Sequence, residues 1–152
     1  MKAEVINPFL ESARSVLEQL IQVRPTMGNL GLQEIKVSQD YIHIRIGITG
    51  QMTGNVMFGL PEPVALKLVS VMMGGFAVSE LDEISESAIS ELGNMISGNA
   101  STLLYNQGIH IDITPPAVIR MDTAQQYARA KALTVPLFLE QIGEMNIQVI
   151  VA

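Results

Sequence analysis

Glu91 and Asn94 are the two side chains in this sequence best placed to act together chemically. They are three residues apart in a stretch, residues 80–107, whose apolar residues recur at helical spacing. Side chains at this spacing are neighbours on a helix surface. One is a carboxylate that accepts hydrogen bonds, and the other is a carboxamide that donates and accepts them. Spacing alone is a weak signal, because Glu4 and Asn7 share it and Asn7 fits a helix cap.

Small residues surround this pair on the predicted helix. A helical wheel leaves Glu91 and Asn94 outside the core-facing stripe, where both are reachable from solvent. The predicted stripe consists of Leu81, Ile84, Ala88, Leu92, Met95, Ile96 and Leu103. The exposed side carries Ser87, Ser90, Gly93, Ser97, Gly98 and Ser101 in place of the usual charged helix formers. Glycine weakens a helix. The two glycines therefore indicate either close packing against another element or a flat surface that a partner can approach.

Three other polar residues are interpreted as non-catalytic. His43 and His110 are each predicted on the wet face of a strand, as surface histidines. His110 and Asp112 share a face, but two ligands do not make a metal site. Asn99 falls near the predicted core stripe, where it is expected to stabilise helix packing. We therefore expect no metal site and no cofactor site in this chain.

The elements that hold the pair follow from periodicity and from glycine and proline positions. A first helix is predicted to start at Asn7-Pro8 and to end before Pro25, and a second covers residues 61–73. The third covers residues 80–107 and is stopped by Gly108. Strands are predicted at residues 42–48, 56–58, 109–113, 118–121, 130–135 and 147–151. This order predicts an α+β fold with long helices packed against a largely antiparallel sheet.

A single domain over residues 1–152 is predicted, with a weak internal duplication. Its halves, approximately residues 7–75 and 80–152, each begin with a long amphipathic helix followed by strands. The chain ends on an apolar strand, Val149 to Ala152, without a charged tail. Such a strand is an exposed sheet edge unless something covers it, and a homodimer joined through strands is one way to cover it.

Composition excludes several classes of function. The net charge is −6, and residues 68–119 contain no Lys or Arg, so we expect no nucleic-acid partner. The chain has no cysteine, which removes disulfides and thiolate chemistry. It shows no export signal and no apolar run long enough for a membrane helix, so a cytoplasmic protein without a membrane partner is expected. The acidic stretch fits either a surface tuned for solubility or a face for a partner with exposed lysines.

The run from Ser87 to Ala100 resembles the signature helix of the CheC/CheX/FliY-type chemotaxis phosphatase family. That signature is Ser or Asp, three residues, Glu, two residues, Asn, and a proline just over twenty residues later. Ser87, Glu91, Asn94 and Pro115 or Pro116 fill these positions. Asn7-Pro8-Phe9-Leu10 and Met72-Met73-Gly74-Gly75 are also similar to this family, so the resemblance covers essentially the whole chain.

The first helix departs from the two-motif pattern of CheC-type members. Glu11 is followed three residues later by Arg14 and not by Asn. With one intact motif, the chain resembles a single-motif, CheX-like member with a CheC-like fold. The resemblance implies a homodimer that presents two sites.

The resemblance also implies a mechanism. A phosphorylated CheY-like response regulator would be the partner, and its receiver domain would supply the phospho-aspartate and Mg²⁺. Asn94 would orient the attacking water and Glu91 would pair with a receiver lysine, while Ser87, Ser90 and Gly98 would form the docking surface. Two alternatives remain open. One is a non-catalytic CheX-like module that binds a receiver domain or another signalling partner, and the other is a ligand-binding domain that uses the cleft between helix and sheet.

Overall fold

The helices lie close to their predicted positions. A computed structural model describes the backbone of residues 3–151 and the side chains of residues 5–150. This part of the chain forms α1 (Ala3–Ile21), α2 (Glu62–Met72), α3 (Glu83–Asn106) and α4 (Met121–Ala124), and α4 runs into a 3₁₀ turn at Gln125–Tyr127. The three long helices are confirmed. The short α4 was not predicted, because one helical turn shows no periodicity.

The predicted start of the first helix is wrong. The helix is already formed at Ala3, and Pro8 lies inside it. Proline removes one backbone hydrogen bond there and restricts the residue before it. Val5, Ile6 and Phe9 are all buried, so the first turns are held by packing against the core rather than by a cap at Asn7, which is exposed.

The strands form one antiparallel sheet within the described residues. They are β1 (Thr26–Met27), β2 (Gly31–Glu34), β3 (Tyr41–Gly50), β4 (Gly54–Pro61), β5 (Ile111–Ile113), β6 (Ala117–Ile119), β7 (Lys131–Leu139) and β8 (Gly143–Val151). The six predicted strands are confirmed, and with them the α+β fold class. The short β1 and β2 carry no alternating pattern and were not predicted.

The terminal strand lies inside the sheet, so strands of the same chain cover both of its edges and no partner chain is needed for this. The strand order is β1-β7-β8-β4-β3-β5, with β2 also paired to β7 and β6 also paired to β3. β8 is hydrogen-bonded to β4 on one side and to β7 on the other. Both edges of β8 are therefore occupied, and the strand offers none for a dimer; Ala152 lies outside the described residues.

Short strands cross between the two predicted halves of the chain. β1 and β2, from the first half, pair with β7 of the second half. β5 and β6, from the second half, pair with β3 of the first half. This exchange is what an internal duplication would produce, and the duplication itself stays a prediction.

The main core lies between the sheet and the three long helices. Every second residue of β3 faces it, namely Ile42, Ile44, Ile46 and Ile48, and α1 packs beside α3 on the same side. The other side of the sheet, called here the outer face, carries a smaller cluster built on Met57, Ile119 and Ala124. None of the helices in residues 3–151 is long and apolar enough to cross a membrane.

His43 is fully buried on the outer face, so its prediction as a wet surface histidine is wrong. The alternation in β3 correctly identifies two faces, but α4 and the 3₁₀ turn cover part of the second one, as Ala124 and Tyr127 show. Neither ring nitrogen has a hydrogen-bond partner among the described residues. Burial lowers the pKa of His43 to about 4, so the imidazole is neutral at pH 7.

Candidate functional site

Two sets of hydrogen bonds anchor the start of α3, one from its N-cap and one from Arg120. The Asp82 carboxylate caps the helix by accepting a 2.9 Å hydrogen bond from the backbone N–H of Ser85, and this bond lowers the pKa of Asp82. Arg120, which follows β6, donates through Nη2 to Glu86 Oε1 and to the carbonyl of Leu81, both at 2.8 Å. α3 is therefore held in a defined position over the sheet.

The core-facing side of α3 is rotated from the predicted stripe by roughly 90° on a wheel of 100° per residue. The residues that it buries are Ser85, Ile89, Leu92, Gly93, Ile96, Ser97, Ala100 and Leu104. Ile84 and Met95, both predicted in the core, are 66% and 41% exposed. Asn99 is exposed as well, so its prediction as a packing residue is wrong.

Small residues caused this error, because they face the core. A Cβ added at Gly93 would lie 2.8 Å from Ile44 Cγ2 and 3.1 Å from Pro116 Cβ. Ser97 is fully buried, and its hydroxyl donates a 2.8 Å hydrogen bond to the Gly93 carbonyl. Close approach of the helix to β3 needs small side chains here, whereas sequence periodicity gives weight only to large apolar ones.

Glu91 and Asn94 are both exposed, as predicted. They lie on the side of α3 away from the buried residues, one helical turn apart. The ion pairs among the described side chains involve other carboxylates, Glu11, Glu18 and Glu86. The Glu91 carboxylate is thus available to a cation of another molecule, and the Asn94 carboxamide projects beside it.

The predicted docking residues share this side of α3. Ser87 is exposed, Ser90 is half-buried, and Gly98 is exposed. A Cβ at Gly98 would meet no atom within 4 Å apart from its chain neighbours and its own helix backbone. Beside Glu91 and Asn94, the helix surface therefore carries two serines and a glycine in place of long side chains. The two glycines differ: Gly93 serves close packing, and Gly98 leaves an open surface.

Exposed apolar residues next to the site were missed by sequence reasoning. Ile84 lies two turns before Glu91, and Met95 follows Asn94 in the chain. Both are on the solvent-exposed side of α3. Ile84 also lines a depression of about 220 Å³ with Met73 and Val78. Periodicity could not find this surface, because it placed Ile84 and Met95 in the predicted core stripe.

Of the two candidate signature prolines, Pro116 is the one that contacts α3. Its ring carbons are among the nearest neighbours of the Gly93 position, and Pro115 is exposed. Pro116 lies directly before β6, which pairs with β3. The proline thus fixes the distance between the sheet edge and the middle of α3.

The corresponding position on α1 is occupied by an ion-pair cluster. Glu11 Oε2 accepts a 2.7 Å bond from Arg24, and Glu11 Oε1 lies 3.3 Å from Arg14 Nη1. Arg14 Nε donates to the carbonyl of Pro25 at 3.1 Å. The Glu11 carboxylate is engaged within the chain, unlike that of Glu91.

The remaining candidates do not form a site. His110 is exposed and stacks on Tyr105, with ring centroids 4.7 Å apart. Within residues 3–151, no group of three or more His, Asp or Glu side chains is arranged to hold a metal ion. Glu91 and Asn94 therefore remain the pair with the clearest chemical potential.

Residues 42–138, which include α2, α3 and the strands from β3 to β6, match the family described as chemotaxis phosphatase CheX. The chain is also 32% identical to the CheY-P phosphatase CheX of Thermotoga maritima, over 98% of its own length and 97% of that relative. It belongs to the CheX family. The family resemblance of the α3 signature is confirmed.

Solved structures agree with this CheX assignment. A CheC-like superfamily protein from Shewanella sp. PV-4 has a TM-score of 0.81 at 23% identity, covering 99% of this chain and 98% of that one, and confirms the CheC-like fold. CheX of Borrelia burgdorferi, solved in a complex with CheY, BeF3 and Mg²⁺, has a TM-score of 0.79 at 28% identity, covering 97% of each chain.

Proposed function

We propose that this CheX family member hydrolyses the phospho-aspartate of a CheY-like receiver domain, with Asn94 orienting the water and Glu91 docking the receiver. The observation that carries the proposal is the pairing of an exposed carboxylate and an exposed carboxamide one turn apart on an anchored helix. The relative from Thermotoga maritima is named as a phosphatase of CheY-P, which supports the same reaction here.

The reaction requires no strong base from this chain. Water attacks phosphorus, the bond between phosphorus and the aspartyl oxygen breaks, and inorganic phosphate and a free carboxylate result. The transition state is loose, so catalysis depends on positioning and charge stabilisation and needs no strong base. A neutral carboxamide can hold the water in line, which is the role proposed for Asn94.

In this proposal, the receiver docks on the exposed side of α3, where the side chains beside Glu91 and Asn94 are small. Ser87, Ser90 and Gly98 leave room for the receiver to close over the helix while Glu91 and Asn94 project from it. Ile84 and Met95 add exposed apolar area at the same surface. Glu91 then pairs with a receiver lysine and sets the approach angle, because a partly desolvated ion pair is directional as well as attractive.

The receiver supplies the metal in this proposal. The CheX structure from Borrelia burgdorferi contains CheY and Mg²⁺ together, which supports Mg²⁺ on the partner's side. The predicted homodimer and the cytoplasmic location stay predictions. A dimer, if formed, does not use β8, because both edges of that strand are already paired.

Phosphate release from a CheY-like receiver, charged with acetyl phosphate and Mg²⁺, tests the function. Asn94→Ala should slow release by at least about 100-fold, the scale of losing one preorganised polar group, while binding to the receiver persists. Asn99→Ala is the matched control, because Asn99 is an exposed asparagine on another side of the same helix. Its rate should equal that of the unmodified protein.

Two results would contradict the proposal in different ways. Unchanged release by Asn94→Ala would remove Asn94 from the role of water positioning. Binding of the phosphorylated receiver without any acceleration by the unmodified protein would favour the non-catalytic module.

A further inference from the structure

The outer face of the sheet carries a polar pocket that Glu91 and Asn94 do not share. It lies where β3 begins, beside β7 and β8, and the end of β2 with Lys36 forms one wall. Its volume is about 240 Å³. Pockets for drug-sized ligands measure roughly 300 to 1,000 Å³, so this one suits a smaller molecule. We call it the outer-face pocket.

Its floor is buried and polar. Tyr41, Thr134 and Gln148 line it and are 4%, 2% and 3% exposed. The Gln148 Oε1 atom is buried and has no hydrogen-bond partner among the described residues. Buried polar atoms in folded proteins are nearly always paired, so this acceptor gains a donor from the pocket only if the Gln148 side chain turns towards it.

The Tyr41 hydroxyl has a remaining bond to give. It accepts a 2.9 Å hydrogen bond from Asn146 Nδ2, which leaves its own proton free to donate. Gly59 lies beneath: a Cβ there would be 2.9 Å from the Tyr41 oxygen and 3.1 Å from Gln148 Oε1. The absence of a side chain at Gly59 thus allows the two polar groups to approach the same point of β4.

Charges of both signs stand at the rim. Glu34, Lys36 and Glu144 line the pocket and are exposed. Lys36 Nζ lies 5.1 Å from the centroid of the Tyr41 ring, in cation–π range, so the ammonium is held over the floor. A ligand that matches this rim carries a cation for the carboxylates and an anion for Lys36.

We propose that the outer-face pocket binds a small zwitterion of the free α-amino acid class. The ligand's ammonium pairs with Glu144 and, once the Gln148 side chain turns towards the pocket, donates to Gln148 Oε1. Its carboxylate accepts from Lys36 and from the Tyr41 hydroxyl. Neither Glu144 nor Lys36 takes part in the four ion pairs of the described side chains, so both charges are available to a ligand. The site is separate from the proposed phosphatase site, because it lies on the other side of the sheet from α3.

Titration of the ¹⁵N-labelled full chain with the proteinogenic L-amino acids tests the proposal. At least one should give saturable shifts at the amides of Tyr41, Thr134 and Gln148. Its N-acetyl derivative and its amide should each bind at least about tenfold more weakly, because each lacks one of the two charges. No saturable shift with any amino acid, or binding of either derivative as tight as that of its parent amino acid, would overturn the proposal.

Substitutions of the rim residues test which of them bind the ligand's two charged groups. Glu144→Gln and Lys36→Gln should each weaken binding about tenfold or more, and both sites are exposed, so the fold should persist. Glu140→Gln is the matched control, an exposed glutamate outside the pocket, and should bind as the unmodified chain does. Unchanged affinity in Glu144→Gln or in Lys36→Gln would contradict the assignment. Receiver dephosphorylation is not part of the readout, so either proposal can fail alone.

Discussion

Gly93 packs so closely on Ile44 that a Cβ at the glycine would lie 2.8 Å from Ile44 Cγ2. Ile44 is fully buried in β3, and Gly93 lies near the middle of α3. This contact sets how near α3 comes to the sheet. It therefore also sets the distance between the sheet and Asn94, the next residue, which projects on the other side of the helix.

Gly93→Ala should destabilise the protein. Alanine improves helix propensity by about 1 kcal/mol, but an extra methyl in a packed core typically costs 1 to 3 kcal/mol, about the same or more. We expect a net loss of about 1 kcal/mol in the free energy of unfolding, measured by urea denaturation. A gain in stability would mean that Ile44 and Pro116 yield easily, and that the contact does not limit the approach of α3.

Gly98→Ala is the matched substitution on the open side of the same helix. Apart from its chain neighbours and its own helix backbone, no atom lies within 4 Å of its Cβ position. Only helix propensity therefore acts, and the free energy of unfolding should rise by about 1 kcal/mol or slightly less. If Gly98 belongs to the docking surface, KM for the phosphorylated receiver should rise in this more stable variant. A variant that is more stable with an unchanged KM would remove Gly98 from that surface.

His43 should make stability depend on pH. Its pKa is about 4 in the folded chain and 6.5 as the reference value, so between these values the unfolded state binds more protons. Stability should therefore rise from pH 4 to pH 6.5, by up to about 3 kcal/mol at 1.36 kcal/mol per unit. Urea denaturation across this range measures it.

His43→Gln, which cannot titrate, should flatten this pH dependence whatever its stability at pH 7. His110→Gln is the control at an exposed histidine and should retain the dependence. Equal pH profiles in His43→Gln and the unmodified chain would show that other groups cause the effect.

Glu91→Lys should weaken docking of the receiver. It replaces the proposed partner of a receiver lysine with a like charge, and we expect Kd to rise at least about tenfold in calorimetry or fluorescence titration. Glu140→Lys changes the net charge equally but lies at the end of β7, far along the chain from α3. Equal effects of the two variants would indicate a general charge effect and no specific pair.

Arg14→Asn should not create a second active site, although it completes Glu-x-x-Asn on α1. Arg24 already binds the Glu11 carboxylate at 2.7 Å, so that carboxylate is not free to dock. The variant should lose the hydrogen bond from Arg14 to Pro25 and about 1 kcal/mol of stability. Phosphate release by Arg14→Asn combined with Asn94→Ala should stay as slow as in Asn94→Ala alone. Recovery of activity in the double variant would contradict this.

The errors of sequence reasoning have a common cause. For α3, periodicity follows large apolar residues, whereas the core side of this helix is built on Ser85, Gly93 and Ser97 as well. For β3, alternation separates two faces but carries no information on what covers the second, so His43 was placed in water. The terminal strand looked like an edge because a strand's neighbours are set by distant segments, here β4 and β7.

Local sequence patterns are enough to predict the types of the long elements, their order, and the two residues of the candidate site. Spacing, helix breakers and local alternation are properties of neighbouring residues, and a signature helix is a local pattern. The folded chain shows which side of α3 faces Ile44, which proline contacts Gly93, and that Arg24 binds Glu11 while no ion pair of the described side chains involves Glu91. These are contacts between residues far apart in the chain, and close packing and charge pairing between them exist only once the chain is folded.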